Sequence, residues 1–176
     1  MANIENFKAN LSGGGARANQ FKVIMTFPAI SLGSGLGEEF TYLCKATSLP
    51  GTTLGAVEVP FRGRILKIAG DRTYDDWETT IINDTDFNIR NAMERWIDGM
   101  DRTLFEQTNV TNPLNYQSSA IVHQLDRNGS TLKSYKFHGM WPSTIAAIDL
   151  GYDTNDAIEE FSVTWKYNYF TSHTTL

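Results

Sequence analysis

At 176 residues the chain is long enough for one domain with a sizeable core and protruding arms. A hydrophobic content of 41% and an aromatic content of 12% exclude wholesale disorder. The formal charge of −5 argues against a protein built to grip phosphates, because that affinity comes from neutralising them with Lys and Arg.

Residues 1–19, with three consecutive glycines at Gly13, Gly14 and Gly15, read as a flexible N-terminal arm. MANIENFKAN lacks the basic and apolar regions of a signal peptide, and no later run is long enough to anchor the chain in a membrane. Phe21, Val23, Met25 and Phe27 then alternate with polar positions, which predicts a first strand over 20–28. The glycine-rich stretch 31–39 reads as a loop and 40–48 as a second strand, in which Phe40, Tyr42 and Cys44 share a face. Cys44 is the sole cysteine, so no internal disulfide forms, and this pattern makes it a buried thiol.

Residues 49–71 read as a long hairpin arm. Val57, Val59 and Phe61 alternate with Glu58, Pro60 and Arg62, Gly63 permits a reversal, and the return limb carries Ile65, Leu66 and Ile68 up to a break at Gly70-Asp71. Such an arm reaches roughly 25 Å at about 3.3 Å per residue, and an isolated two-stranded ribbon is marginal in water. Pro60 marks an edge, while Arg62, Arg64 and Lys67 keep the ribbon soluble until it meets a partner. The arm therefore points to assembly. Arg72, Asp75 and Asp76 fall at its base. Trp77, Thr79 and Ile81 line one face of the following strand, over 77–83.

The one amphipathic helix is expected over 86–100. Asp84, Thr85 and Asp86 are its N-cap candidates, Ile89, Met93, Trp96, Ile97 and Met100 form a single stripe, Arg90 and Glu94 lie off that stripe, and Gly99 is a terminator. Residues 101–117 read as a connection. Segments 118–125 and 131–138 flank Asp126-Arg127-Asn128-Gly129 as a hairpin, Trp141-Pro142 turns the chain, and 144–150 is a further strand. The clearest amphipathic strand is 158–170, with Phe161, Val163, Trp165, Tyr167 and Tyr169 set against Glu160, Ser162, Thr164, Lys166 and Asn168, whose polar side needs a wet surface. Together these predict a mainly-β chain, an antiparallel β-sandwich or partly open barrel with one α-helix and a long protruding hairpin, in a single domain over 1–176.

Chemistry is sparse. His123, His138 and His173 are scattered without ligand spacing, Gly33-Ser34-Gly35-Leu36-Gly37 lacks the helix and Gly-Lys-Ser/Thr ending of a phosphate loop, and adjacent Asp75 and Asp76 face opposite sides of a strand. Neither a metal, a cofactor nor catalysis is expected. Asp149, Asp153, Asp156, Glu159 and Glu160 form an acidic run that reads as a solvated face.

CKATSLPG at 44–51, KIAGDRTYDDW at 67–77, IIND at 81–84, SAIV at 119–122, GMWPS at 139–143 and LGYDTNDAIEEFSVTW at 150–165 resemble the tail tube proteins of large contractile-tailed bacteriophages, in the family's order from about residue 19 to 170. The resemblance implies a structural virion protein, made in the host cytoplasm. Its hexameric rings stack into a hollow tube within the sheath, and its strands join an inter-subunit barrel around each ring. The implied partners are further copies of itself, the tail sheath, a baseplate or tube initiator and the tape-measure protein, with double-stranded DNA in transient passage. On this basis Val57, Val59, Phe61, Arg62, Arg64, Ile65 and Lys67 are candidate inter-ring contacts, the basic ones facing the acidic run of the next ring. Arg72, Asp75 and Asp76 fix the arm's base; Glu160, Ser162, Thr164, Lys166 and Asn168 are candidates for the bore; Arg90 and Glu94 are candidates for sheath contact. Two alternatives stay open: the tube of a related contractile injection or type VI secretion-like machine, and a monomeric β-sandwich that binds carbohydrate through Trp141, Tyr152 or Tyr167.

Overall fold

The computed structural model describes residues 3–101 and 112–175. Its main sheet runs in the order β1 (Phe21–Met25), β6 (Ser118–Leu125), β7 (Thr131–Ile145), β8 (Glu160–Lys166), β5 (Trp77–Ile82), β2 (Cys44–Thr47), with β9 (Tyr169–Ser172) also on β7. All of these pairings are antiparallel. β7 is the hinge. Its first half pairs with β6 and β9, its second half with β8, so one 15-residue strand joins the two halves of the sheet.

The crease falls at Gly139, whose φ of 64° only glycine adopts easily, and a register shift opposite Ser118 and Ser119 bends the strand there. Trp141-Pro142 accordingly stays within β7 instead of turning the chain. Pro142 sits beside a second irregularity, before Thr144, where a missing N–H does least damage to a ladder. The strand expected over 144–150 reduces to the end of β7, and 146–159 is a loop. Among the described residues the sheet does not close into a barrel.

The alternating residues pack where their period places them. Phe161, Val163 and Trp165 of β8 and Trp77 and Ile81 of β5 are buried against Val23, Val122 and Phe137. Trp77 stacks on Phe137 at 4.4 Å, and Trp165 meets Trp96 edge-on at 5.7 Å. Each buried indole N–H finds an acceptor: Trp77 on the Ser48 carbonyl, Trp96 on that of Tyr116, Trp165 on the Thr79 hydroxyl.

Four α-helices appear among the described residues, where one was expected. α1 (Ile4–Asn10) lies in the N-terminal arm, N-capped by the Asn3 side chain and burying nothing. α2 (Leu36–Leu43) occupies the first half of the expected second strand. Phe40 and Cys44, read as strand alternates, are also spaced i and i+4, and both are buried while Tyr42 is 77% exposed. Thr41 then ties α2 to β1 by donating to the Val23 carbonyl, and Gly37 lets the helix lie against the Met25 carbonyl, where a Cβ would sit 2.6 Å from the oxygen. α3 (Asn88–Met100) buries Ile89, Met93 and Trp96 as the stripe predicts, but it starts from Phe87 in a left-handed conformation with no side-chain cap. Gly99 does not stop it. The glycine is buried there because any Cβ would overlap Ile30. α4 (Pro113–Tyr116) falls in the expected connection, most of which lies outside the described residues.

Candidate functional site

The arm is β3 (Thr52–Phe61) and β4 (Arg64–Tyr74), a two-stranded sheet that pairs with no other strand among the described residues. Phe61 pairs with Arg64 around a two-residue turn in which Arg62 and Gly63 both have positive φ, 45° and 80°, the primed geometry that suits strand twist. Gly70-Asp71 does not end the ribbon. Leu54 pairs with Arg72 and Ala56 with Ala69, so the two residues bulge opposite Gly55 and β4 continues to Tyr74.

Residues paired across an antiparallel ladder share a face. One face is therefore Val57–Ile68, Val59–Leu66 and Phe61–Arg64; the other is Ala56–Ala69, Glu58–Lys67 and Pro60–Ile65. Ile65 and Lys67 are thus on the opposite side from Val57, Val59 and Phe61, and Lys67 pairs with Glu58 at 3.2 Å. Leu66 and Ile68, the missing half of the apolar face, could have been found by numbering the ladder outward from Gly63. Every residue of β3 is exposed, including Phe61 at 66%. This is apolar surface that the described residues leave uncovered.

The base of the arm is held. Tyr74 packs against Tyr167 and Phe170 at 5.9 and 5.5 Å. Asp76 accepts two 2.7 Å hydrogen bonds from Lys166, and the Asp75 carboxylate lies against Gly51. Arg72 stands at the bulge, opposite Leu54. The Tyr167 hydroxyl is pushed up to about 12 by burial first, then by Asp75, Tyr74 and Asp76.

On the outward side of β8, β5 and β2 the polar alternates form one surface. Ser162 faces Thr80 with hydroxyls 3.4 Å apart, Thr164 faces Glu78, and Glu160 pairs with Lys45. Lys166, already on Asp76, completes it. Lys45, Glu78 and Thr80 escape a reading of β8 alone, although the alternation of β5 hints at two of them. Both lysines are matched by carboxylates, which leaves Glu78 as the surplus charge of the group. Exposed pairs of this kind contribute at most about 1 kcal/mol each, but they neutralise the surface. Asn168 lies beyond the end of β8, and its amide packs over Gly139 at the crease.

Arg90 and Glu94 form an i,i+4 pair at 2.8 Å. Arg90 also donates to the Ala146 carbonyl at 2.8 Å and lies over the Phe161 ring, so it pins α3 to its own sheet, and Glu94 is the more exposed partner. Burial pushes the Cys44 thiol up to about 12, unlike a nucleophile. His123 contacts Ser134, and His138 stacks on Tyr169 beside Thr171. Both imidazoles are held below their ordinary value by desolvation, then by Lys22 and Lys136 respectively. Trp141 is half-buried and the Tyr167 hydroxyl buried, so among the three rings suggested for carbohydrate only Tyr152 is fully exposed.

A bent β-sheet with one apolar and one polar face, carrying a ribbon whose apolar side is covered by no other described residue, has the surfaces of a structural protein rather than of an enzyme. The family described as phage tail tube protein matches residues 16–173, and the chain belongs to it. It is 34% identical over 162 residues to tail tube protein gp19 of Enterobacteria phage T4, covering 90% of this chain and 93% of that one. The same fold occurs in the baseplate of the anti-feeding prophage, solved with 6-fold symmetry (TM-score 0.62, 11% identity, 90% and 95% of the chains covered). It occurs again in the sheath–tube complex of an extracellular contractile injection system in its extended state (TM-score 0.61, 11% identity, 94% and 96% covered). The protein is a structural component of the virion, and its relatives are tail tube proteins rather than enzymes.

Proposed function

We propose that copies of this chain close into hexameric rings, and that the rings stack into the inner tube of a contractile phage tail, the conduit for tape-measure protein and for DNA. The observation that carries this reading is the arm, two exposed strands whose apolar face has no partner among the described residues. Ring closure is supported by the sheet of β2, β5, β8 and the second half of β7. Among the described residues it has an open edge at β2 and another along the second half of β7, and open edges that are a liability in a monomer become joints in a closed ring. A 6-fold neighbour of the same fold agrees with six copies.

The polar face of β8, β5 and β2 suits the bore. A basic wall would hold DNA by counterion release, whereas hydroxyls and internally paired charges over a chain of net charge −5 let it slide. A sheath around such a tube would meet the outer helices, and Glu94 on the exposed side of α3 is the residue of its pair left to face it. The baseplate supplies the first ring on which the tube grows.

Replacing the arm residues 53–68 by a short Gly-Ser loop tests the reading. Electron microscopy should show stacked hollow rings for the intact chain and single rings or monomers for the shortened one. Stacked tubes from the shortened chain would refute it.

A further inference from the structure

The arm and the loop 146–159 attach to opposite ends of the same strand. β4 ends at Tyr74, two residues before β5 begins at Trp77, and the Asp76–Lys166 pair marks that end. At the far end Ile82 pairs with Glu160, and Asn83 donates its backbone N–H and its side-chain amide to the backbone and carboxylate of Glu159. Six residues of β5 therefore hold the two features about 17 Å apart at their roots.

The two are complementary. The loop carries Asp149, Asp153, Asp156 and Glu159 with no Lys or Arg, and among these carboxylates Leu150, Tyr152 and Ile158 are 80, 105 and 70% exposed. They border a groove of about 720 Å³, lined also by Ile148 and Ala157. The arm offers an apolar face of Val57, Val59, Phe61, Leu66 and Ile68. Its one acidic residue between 52 and 69, Glu58, pairs with Lys67, leaving Arg62 and Arg64 at the tip.

We infer that the arm of one copy seats its apolar face in the 146–159 groove of a second copy in the adjacent ring, with Arg62 and Arg64 against Asp149, Asp153 and Asp156. This assignment of the recipient rests on the stacked-ring reading. Because donor and acceptor are rooted at opposite ends of β5 and are different surfaces, the contact is head-to-tail and does not close on itself, so each ring presents the same acceptor to the next. A two-fold contact would bury both arms and stop growth.

The test mixes two full-length variants at high concentration under oxidation, Phe61→Cys in one and Tyr152→Cys in the other. Both positions are exposed, and buried Cys44 does not compete. Arm-to-loop dimers should exceed either homodimer by about tenfold. Arg62→Glu with Arg64→Glu in the arm chain should bring them to background, and Asp153→Lys with Asp156→Lys in the loop chain should restore them. Heterodimers no more abundant than homodimers, or no restoration by the reversed pair, would overturn the inference. If the arm-shortened chain fails to stack while no arm-to-loop dimer forms, the tube reading stands and this acceptor falls. If the arm-shortened chain stacks normally, both fall.

Discussion

Single residues divide into those that hold the fold and those that present a surface, and burial sorts them in ways that identity does not. Gly139 looks replaceable in the sequence. Yet its φ of 64° and the Asn168 amide packed over it mean that Gly139→Ala should cost about 2–4 kcal/mol in chemical denaturation, through strain and overlap at the crease. Cys44 makes a second prediction. Its thiol is raised from 9.0 to about 12 by burial, so the folded chain keeps the proton where the unfolded chain has lost it. That group's contribution is full below pH 9 and declines as pH rises toward 12; the stability gap between the native chain and Cys44→Ala, followed by urea midpoint, should narrow over that window. At pH 8 the folded thiol should alkylate about a hundredfold more slowly than the urea-unfolded one. Arg90 would pass for a surface charge. Because it donates to Ala146 and covers Phe161, Arg90→Ala should lower stability by about 1–2 kcal/mol, whereas Glu94→Ala should change it by less than about 0.5.

At the scale of elements, strands that are half exposed were legible because a period of two writes both environments into the sequence. β5, β3 and the β6–β7 hairpin fall where the alternation puts them, whereas the strand expected over 158–170 breaks after Lys166 and its end joins β9, which pairs with β7 rather than continuing β8. The stretch 36–44 was not, because Phe40, Tyr42 and Cys44 satisfy period two while Phe40 and Cys44 also satisfy one helical turn. Only the contact of Gly37 and Thr41 with β1 decides for the helix. The length of β7 was hidden for a related reason: Gly139, Trp141 and Pro142 look like punctuation, but a strand that changes sheets needs a bend, and these residues supply it. The arm's two faces are a matter of register. Once Arg62 and Gly63 are fixed as the two-residue turn, every pairing out to Ala56–Ala69 follows and Ile65 separates from Leu66, while the bulge at Gly70-Asp71 shifts the pairs beyond it.

For the whole molecule, the arm adds apolar surface outside the core, so losing it should leave the melting temperature of the subunit within a few degrees while abolishing stacked rings. The polar sheet face makes a converse prediction. Glu78→Lys with Thr164→Lys, cross-strand neighbours outside the core, should spare assembly yet slow DNA ejection measurably at low salt, with recovery as salt is raised. Unchanged ejection would remove this face from the bore. Each of these surfaces was half visible in the chain: β8 contributed Glu160, Ser162, Thr164 and Lys166, but Lys45, Glu78 and Thr80 join them only because β2 and β5 lie alongside. The sequence by itself determined the mainly-β class, the amphipathic helix, the ribbon and the family, since periodicity and motif are local properties of the chain. What only the tertiary structure decided was which edges stay open, which charges are spent on each other, and that the basic ribbon and the acidic loop stand at opposite ends of one strand. Those depend on pairings between residues as distant as Lys45 and Glu160, and no local pattern encodes them.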